Sequence, residues 1–424
     1  MVASADRRPP ASTDVATPSY LPLVLVNLAT LFSAIGNGIA IVVLPWLVLE
    51  RTGRATDAAI VAGAAAVPLL VSSLFSGTFV DKFGRRRTSM ISDALSAMSV
   101  AAIPIIAATA GLTIPVIAAL AALGAVFDPA GMAARESMLP AATRTAKWKL
   151  DRTNSVYEAN FNVAYLIGPG IGGVLIATIG AVNTLWVTAA GFVFSIVVVA
   201  FIRLPGAGVP EHEHRPKSIW HGTLDGLRFV WNNRLLRTLA LIDMAVVALY
   251  MPVESVVFPV YFTELDQPAQ LGSVLMALAI GGIIGSLAYA PLAPIMSRRL
   301  IMIFAVAVLG IAMLAMALLP PLWVILVLAG LQGLVYGPVG PIANYAMQTH
   351  SPEHMRGRVV GVMTSTAYAA GPLGYLAVGP LLDQLGIAST FVALSIPIIL
   401  IAAVCASLPV LRELDRPRHS TDVS

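Results

Sequence analysis

A short charged segment, GTFVDKFGRRR at residues 77–87, joins two long apolar stretches at 57–80 and 88–110. Each stretch is as long as the about 20 predominantly apolar residues that an α-helix needs to cross a lipid bilayer. We therefore interpret residues 77–87 as a basic loop between two transmembrane helices.

The rest of the chain repeats this alternation of apolar stretches and short charged loops. Hydrophobic residues make up 58% of the sequence and charged residues only 11%, against the roughly 25% charged that is usual for soluble domains. This composition excludes a soluble core. We predict an all-α integral membrane protein with twelve spans, at residues 20–49, 57–80, 88–110, 113–135, 153–179, 182–202, 236–262, 270–293, 299–319, 322–347, 359–382 and 388–409.

Basic residues lie almost entirely on one side of this predicted membrane protein. Of the 26 Lys and Arg residues, only Arg51 and Arg54 fall in the other set of loops. Because cytoplasmic loops carry the excess of Lys and Arg, we predict that both termini are cytoplasmic and that the protein lies in the inner membrane. We call the side of the basic loops the inner side, and the opposite side the outer side. The net charge of +4 is spread through the inner loops, which favours anionic lipid as a contact and argues against nucleic acid.

Two polar motifs occur twice, in corresponding spans. Residues 127–131 (FDPAG) in the fourth span match residues 336–340 (YGPVG) in the tenth. A Tyr-x-x-Gly-Pro unit begins at Tyr165 in the fifth span and again at Tyr368 in the eleventh. Because corresponding spans match in order, we predict two six-helix halves related by duplication.

The repeat and the loop lengths divide the chain. Residues 203–235 form the one long inner loop, and residues 219–231 within it are amphipathic, which predicts a helix lying along the membrane surface. We expect both termini to be unstructured. The predicted units are a tail at 1–19, a six-helix bundle at 20–202, the linker at 203–235, a second bundle at 236–409 and a tail at 410–424.

No catalytic or nucleotide-binding motif is present. The sequence contains neither a Gly-x-x-x-x-Gly-Lys-Ser/Thr loop, nor a His-Glu-x-x-His pair, nor a Gly-x-Ser-x-Gly elbow. The run at residues 211–214 (EHEH) could bind a metal, but in a flexible linker it is better read as solvated charge. Cys405 is the one cysteine. We therefore predict a protein that is not an enzyme, without a cofactor or metal site, that draws energy from a gradient or a partner.

Acidic residues within the spans are the candidates for proton carriers, because ionisable groups are expensive in a membrane and are usually functional. Glu254 and Asp243 lie eleven residues apart, about three helical turns, so they share one face of the seventh span. Arg135 follows Asp128 by two turns, and the alternative for that pair is a purely structural ion pair. The candidates for proton coupling are Glu254, Asp243, Glu158, Asp128 and Asp93.

Polar residues on the fifth span predict a cavity. Asn154, Glu158, Asn162 and Tyr165 recur at helical spacing, and such a stripe must face protein or water rather than lipid. An acidic cavity suits cationic ligands. The candidates for the substrate cavity are Asn37, Asn154, Asn162, Tyr165 and Tyr368.

Glycine pairs four residues apart predict close helix packing. Gly168 and Gly172 lie in the fifth span, and Gly281 and Gly285 lie in the eighth. Small residues let helix backbones approach closely in lipid. We expect these pairs to lie at a moving interface between the two halves.

The loop at residues 77–87 resembles the Gly-x-x-x-Asp-Arg/Lys-x-Gly-Arg-Arg signature of the major facilitator superfamily. Its matching residues are Gly77, Asp81, Gly84, Arg85 and Arg86. The resemblance implies that Asp81 and Arg85 form a cytoplasmic latch. The counterpart in the second half, residues 294–299 (PIMSRR), lacks the acid.

The fifth span resembles the Gly-Pro-x-x-Gly-Gly antiporter signature of drug exporters, at Gly168, Pro169, Gly172 and Gly173, although Ala164 replaces a glycine. Residues 128–140 are similar to the enterobactin-exporter-like branch, and the chain most resembles the Tap-type multidrug efflux pumps of actinobacteria. The resemblance implies proton-driven export of varied antibiotics, tetracyclines and aminoglycosides among them, by a monomer whose partners are drugs, protons and lipids. Alternatives are a dedicated exporter of a siderophore or lipid-like metabolite, and a non-transporting scaffold or receptor.

Overall fold

The computed structural model describes residues 19–204, 219–352 and 355–415, which are almost entirely helical. The first half contains α1 (Leu21–Thr52), α2 (Ala55–Phe83), α3 (Arg85–Thr109), α4 (Ile114–Ala125), α5 (Asp128–Ala146), α6 (Leu150–Ile179) and α7 (Ala181–Ala200). Helix α8 (Ile219–Asn232) precedes the second half. That half contains α9 (Arg234–Pro252), a π-helical turn (Val253–Val257), α10 (Phe258–Glu264), α11 (Pro268–Leu292), α12 (Arg298–Met316), α13 (Leu322–Tyr336), α14 (Val339–Thr349) and α15 (Arg356–Ser407).

Eleven helical segments of the described chain are long and apolar enough to cross a membrane. The last of them, Arg358–Ser407, contains two predicted spans, and the backbone leaves the helical conformation inside it at Gly386 (φ 77°, ψ 176°). Gly180, between α6 and α7, has nearly the same conformation (φ 81°, ψ 161°), which glycine adopts at little cost. The all-α membrane fold is thus confirmed, and the break at Gly386 separates the eleventh and twelfth spans.

Three spans are interrupted where the sequence places proline. The fourth span breaks between α4 and α5 at Phe127, and the tenth breaks between α13 and α14 at Gly337. Pro129 and Pro338 follow these breaks, and proline supplies no backbone N–H to continue a helix. In the seventh span the π-helical turn directly follows Pro252. The duplicated motif therefore marks a structural break in both halves.

The paired glycines pack helices within each half. A Cβ atom on Gly168 would lie 2.8 Å from the Cα atom of Gly38 in α1, and Gly172 also faces α1. Gly281 and Gly285 face Gly330 and Leu334 of α13. The expectation that these pairs form the interface between the halves is wrong, because their partners belong to the same half.

The halves meet at other glycines, on the outer side. Gly173 of α6 lies against Pro268 and Ala269 at the start of α11, and a Cβ atom on Gly272 would lie 2.7 Å from the Pro169 carbonyl oxygen. The second contact joins α2 to α15, where a Cβ atom on Gly379 would lie 2.7 Å from the Thr56 Cα atom.

The inner side carries further packed segments. Helix α8 occupies the stretch predicted to be amphipathic, and Asp225 forms a salt bridge of 3.6 Å with Arg358 of α15. After α15, a 3₁₀ turn (Pro409–Asp415) buries Leu411 and Leu414, and Asp415 accepts a hydrogen bond of 2.7 Å from the backbone N–H of Arg298. The expectation of an unstructured tail is therefore wrong for residues 410–415. The other predicted tail residues and the charge run at 211–214 lie outside the described residues, apart from residue 19.

Candidate substrate and proton site

Three neighbouring cavities, called lobes here, lie where the two halves meet and within the second half. The N lobe, about 300 Å³, is lined by residues of both halves, among them Asn37, Asp128 and Tyr368. The central lobe, about 350 Å³, lies between α6, α11 and α13, and the C lobe, about 410 Å³, contains Asp243. Glu254 and Tyr165 line both the N and central lobes. Each lobe therefore contains a carboxyl group, and the N and central lobes are lined by both halves whereas the C lobe is lined by the second half alone.

Glu254 lies where the seventh span departs from α-helical geometry. It belongs to the π-helical turn, a feature that is frequent at functional sites because it redirects side chains. Tyr250 precedes it by one helical turn, and the rings of Tyr250 and Tyr336 stack with their centroids 6.4 Å apart. Tyr375 donates a hydrogen bond of 3.3 Å to Ser255. A carboxylate ringed by aromatic side chains is a favourable site for a cation.

Asp128 and Asp243 occupy the other two lobes. Asp128 begins α5, where the helix N-terminus favours a negative charge, and it lies within hydrogen-bonding reach of Asn37. Asp243 lies within hydrogen-bonding reach of Tyr336 of α13. Tyr368 lines both the N lobe and the C lobe. The structure thus places Asp128 and Glu254 in the N lobe, together with Asn37 and Tyr368, and Asp243 in the neighbouring C lobe.

Asp93 lies away from this cavity, in a buried ion pair. Its carboxylate is 3.2 Å from Arg135 and accepts hydrogen bonds from Ser33 (2.8 Å) and Ser195 (2.7 Å). Arg135 also donates to Ser89 (3.2 Å). Asp93 therefore lines none of the three lobes, and Arg135 pairs with Asp93 of α3 rather than with Asp128 of its own helix.

The polar stripe on α6 divides along its length. Asn162 and Tyr165 line the central lobe. Asn154 and Glu158 are exposed nearer the inner side and line none of the three lobes. The neighbouring carboxylate of Glu136 on α5 is also exposed there. These residues lie on the inner approach to the cavity, opposite the outer contacts that join the halves.

The signature residues have mixed structural roles. Gly84 separates α2 from α3 with φ 83°, and Arg86 donates a hydrogen bond to the Ala200 carbonyl at the end of α7. Arg85 is half-buried. Gly77 and Asp81 belong to α2, and the Asp81 side chain lies outside what the structure describes. Of the antiporter signature, Pro169 lines the central lobe, whereas its glycines pack helices.

Several aromatic residues and one amide line the lobes without having been predicted from the sequence. Tyr336 was visible as the aromatic residue of the duplicated motif, and Tyr250 lies one turn before Glu254. Tyr375 follows Tyr368 by two turns. Gln332, fully buried on α13, gave no signal because a lone glutamine in an apolar helix has no characteristic spacing.

The chain is similar to known membrane transporters over most of its length. The family of transmembrane secretion effectors matches residues 22–422. The multidrug efflux pump Tap of Mycolicibacterium fortuitum is 55% identical over 397 residues, which cover 93% of this chain and 97% of Tap.

Two solved structures share the fold. The nucleoside transporter NupG gives a TM-score of 0.76 at 10% identity, over 91% of this chain and 98% of NupG. A bacterial homologue of the human lysosomal transporter Spinster gives a TM-score of 0.74 at 11% identity, over 95% of this chain and 99% of that chain. These similarities confirm that the fold is that of a multi-pass membrane transporter.

Proposed function

Because the chain belongs to the family of transmembrane secretion effectors, within the major facilitator superfamily, we propose that it exports amphiphilic or cationic antibiotics in exchange for protons. Tetracyclines and aminoglycosides are the proposed substrate classes. The identity of 55% with a multidrug efflux pump over nearly the whole of both chains supports export of several drugs.

The position of Glu254 carries the proposal. This carboxyl group lies in the π-helical turn, lines two of the lobes and has tyrosines around it, including Tyr165 and Tyr250. Of the three carboxylates it is the one that lines two lobes, since Asp128 lines the N lobe alone and Asp243 the C lobe alone. A group in this position is exposed to whichever ligand occupies the space between the halves.

Proton and drug compete for this group. A carboxyl group in a low-dielectric cavity is more stable when neutral, whereas contact with water or with a cationic drug stabilises the carboxylate. A drug that binds from the inner side therefore displaces a proton, and a proton that binds from the outer side displaces the drug. Asp128 and Asp243 supply further acidic contacts for bulky substrates.

Alternating access completes the cycle. The halves are in contact on the outer side through Gly173 and Gly379, while Asn154 and Glu158 are exposed toward the inner side. This arrangement corresponds to a state that receives drug from the cytoplasm or the inner leaflet. Rocking of the halves about the cavity would then open the outer side.

Transport in reconstituted vesicles tests the proposal. Vesicles with an imposed pH gradient are given a tetracycline, an aminoglycoside and an iron-chelating siderophore, and uptake against the concentration gradient is measured for each. We expect accumulation of the antibiotics that collapses when the pH gradient is dissipated. Siderophore accumulation without antibiotic accumulation would instead indicate a dedicated metabolite exporter, and no flux of any compound would contradict transport.

A further inference from the structure

Asp383 joins the two halves on the outer side. It lies near the outer end of the first segment of α15, three residues before the break at Gly386. One carboxylate oxygen accepts a hydrogen bond of 2.8 Å from the backbone N–H of Ala55, and the other accepts one of 3.0 Å from the backbone N–H of Thr56. Both donors belong to the first turn of α2, in the other half of the molecule.

The contact with Asp383 supplies hydrogen-bond acceptors for the N-terminus of α2. The first N–H groups of a helix have no partner within the helix, and they carry the positive end of the helix dipole. The residue at the N-cap position, Arg54, makes no side-chain capping hydrogen bond. Asp383 therefore caps α2 from the opposite half, with both oxygens. Arg54 is also one of the two basic residues on the outer side, and it adds positive charge at this point.

The backbones of α2 and α15 are in close contact beside this cap. Gly379 lies one turn before Asp383 in α15, and a Cβ atom there would lie 2.7 Å from the Thr56 Cα atom and 2.8 Å from the Ala59 Cβ atom. Farther toward the cavity, Gly371 faces Ala66, which lines the N lobe. The cap thus stands at the outer end of a continuous α2–α15 contact that separates the cavity from the outer side.

We propose that Asp383 is a positioning residue that holds the outer gate closed. The inference rests on the proposed transport cycle, in which the outer side must open once per turnover. Opening separates α2 from α15 and breaks both hydrogen bonds, so the cap stabilises only the state that is closed outside. Helix α2 has its N-terminus at this gate, and the signature acid Asp81 belongs to the last turns of the same helix.

Thiol labelling from the outer side tests the gate directly. Cys405, the one cysteine of the chain, is replaced by alanine, and Ala66→Cys then places a single thiol in the N lobe. A membrane-impermeant thiol reagent is added outside cells, and its reaction rate is measured without drug or pH gradient. Asp383→Asn preserves the shape of the side chain and removes its charge. We expect the labelling rate of Asp383→Asn to rise roughly tenfold, because loss of one charge-assisted hydrogen bond shifts the equilibrium toward the outward-open state by about that factor.

Two further variants separate a gate from a merely structural contact. Ala55→Pro removes one of the two donors while keeping Asp383, and proline is well tolerated at the first position of a helix after an extended residue such as Arg54 (φ −115°, ψ 121°). It should raise labelling in the same direction. Glu264→Gln removes an exposed acid elsewhere on the outer side and should leave the rate unchanged.

The outcomes distinguish this inference from the proposed function. Wild-type labelling rates in both Asp383→Asn and Asp383→Ala would overturn the gate, whatever the transport assay shows. If Ala55→Pro fails to reach the membrane, the two Asp383 variants decide. Faster labelling in them, together with an absence of pH-driven antibiotic uptake by the wild type, would support the gate and contradict proton-coupled export.

Discussion

Asp93 and Arg135 form a buried ion pair that is surrounded by serine hydroxyls from three other positions, Ser33, Ser89 and Ser195. The pair joins α3 to α5, and the serines extend it to α1 and α7. Asp128 and Glu254, by contrast, face the cavity. Carboxyl groups at similar positions along their spans therefore have different roles. The residues that the neighbouring helices present determine whether a carboxylate forms an ion pair or faces a cavity.

At this scale we predict that Arg135→Met destabilises the protein by about 3–5 kcal/mol, because the change leaves the Asp93 carboxylate buried without its partner. Unfolding can be followed by the reaction of Cys405, which is buried in the folded protein, with a thiol-reactive dye during heating. Arg144→Met removes an exposed arginine from the same helix and serves as the matched control. Equal melting temperatures for the two variants would show that the pair contributes little.

Helix α6 packs against two different helices, α1 in its own half and α11 in the other half. Gly168 and Gly172 fix α6 against α1 within its own half, while Gly170 and Gly173 fix it against α11 in the other half. Successive glycines along the Gly-Pro-x-x-Gly-Gly motif therefore point to different partners. The first contact must persist through the transport cycle, and the second must be released when the outer side opens.

We predict different consequences for alanine at these two kinds of contact. In Gly173→Ala the added methyl group meets the Pro268 carbonyl and opposes closure of the outer side. Overpacking of this kind destabilises the closed state by about 1–3 kcal/mol, and so favours the outward-open state. Transport should slow by roughly tenfold or more, with faster outer labelling of a cavity cysteine.

The control is Gly281→Ala, where the methyl group meets Gly330 within the second half. It should lower the melting temperature without changing outer labelling. The distinction between the two contacts would fail if both variants lost stability equally and neither changed labelling.

Much of the element structure follows from local sequence, and the contacts between elements do not. Apolar length predicted the spans, but the sequence analysis did not predict the breaks before α5 and α14, although the proline of the duplicated motif lies at both. The partner of a glycine is a property of another helix, so the sequence could not tell that Gly281 faces its own half. For the same reason it could not assign Arg135 to Asp93, or collect Tyr250, Tyr336 and Tyr375 around Glu254.

At the scale of the whole molecule, the two halves are joined on the outer side and the three neighbouring lobes hold three carboxyl groups. Asp383 and Gly379 lie at one outer contact, and Gly173 and Gly272 lie at the other. A transporter that alternates between two states also needs an interaction that closes the inner side. The signature loop at residues 77–87 is our proposal for that interaction.

We predict that Arg85→Ala and Asp81→Asn slow transport by roughly tenfold while changing drug affinity little, because loss of a gate contact changes the population of states rather than the cavity. Drug binding measured in detergent and flux measured in vesicles provide the comparison. Lys82→Gln, in the same loop, is the control for loss of charge alone. A fall in affinity as large as the fall in flux would argue against a latch.

The exchange of protons for drug at Glu254 is tested most directly by Glu254→Gln in vesicles with an imposed pH gradient, with Glu264→Gln as the control. The substitution keeps the size of the side chain and removes its ability to bind and release a proton. We predict that the wild type and the control accumulate a cationic antibiotic against its gradient, whereas Glu254→Gln permits only passive, pH-insensitive exchange. Undiminished pH-driven accumulation by Glu254→Gln would contradict this account and leave Asp243 as the next carboxyl group to test.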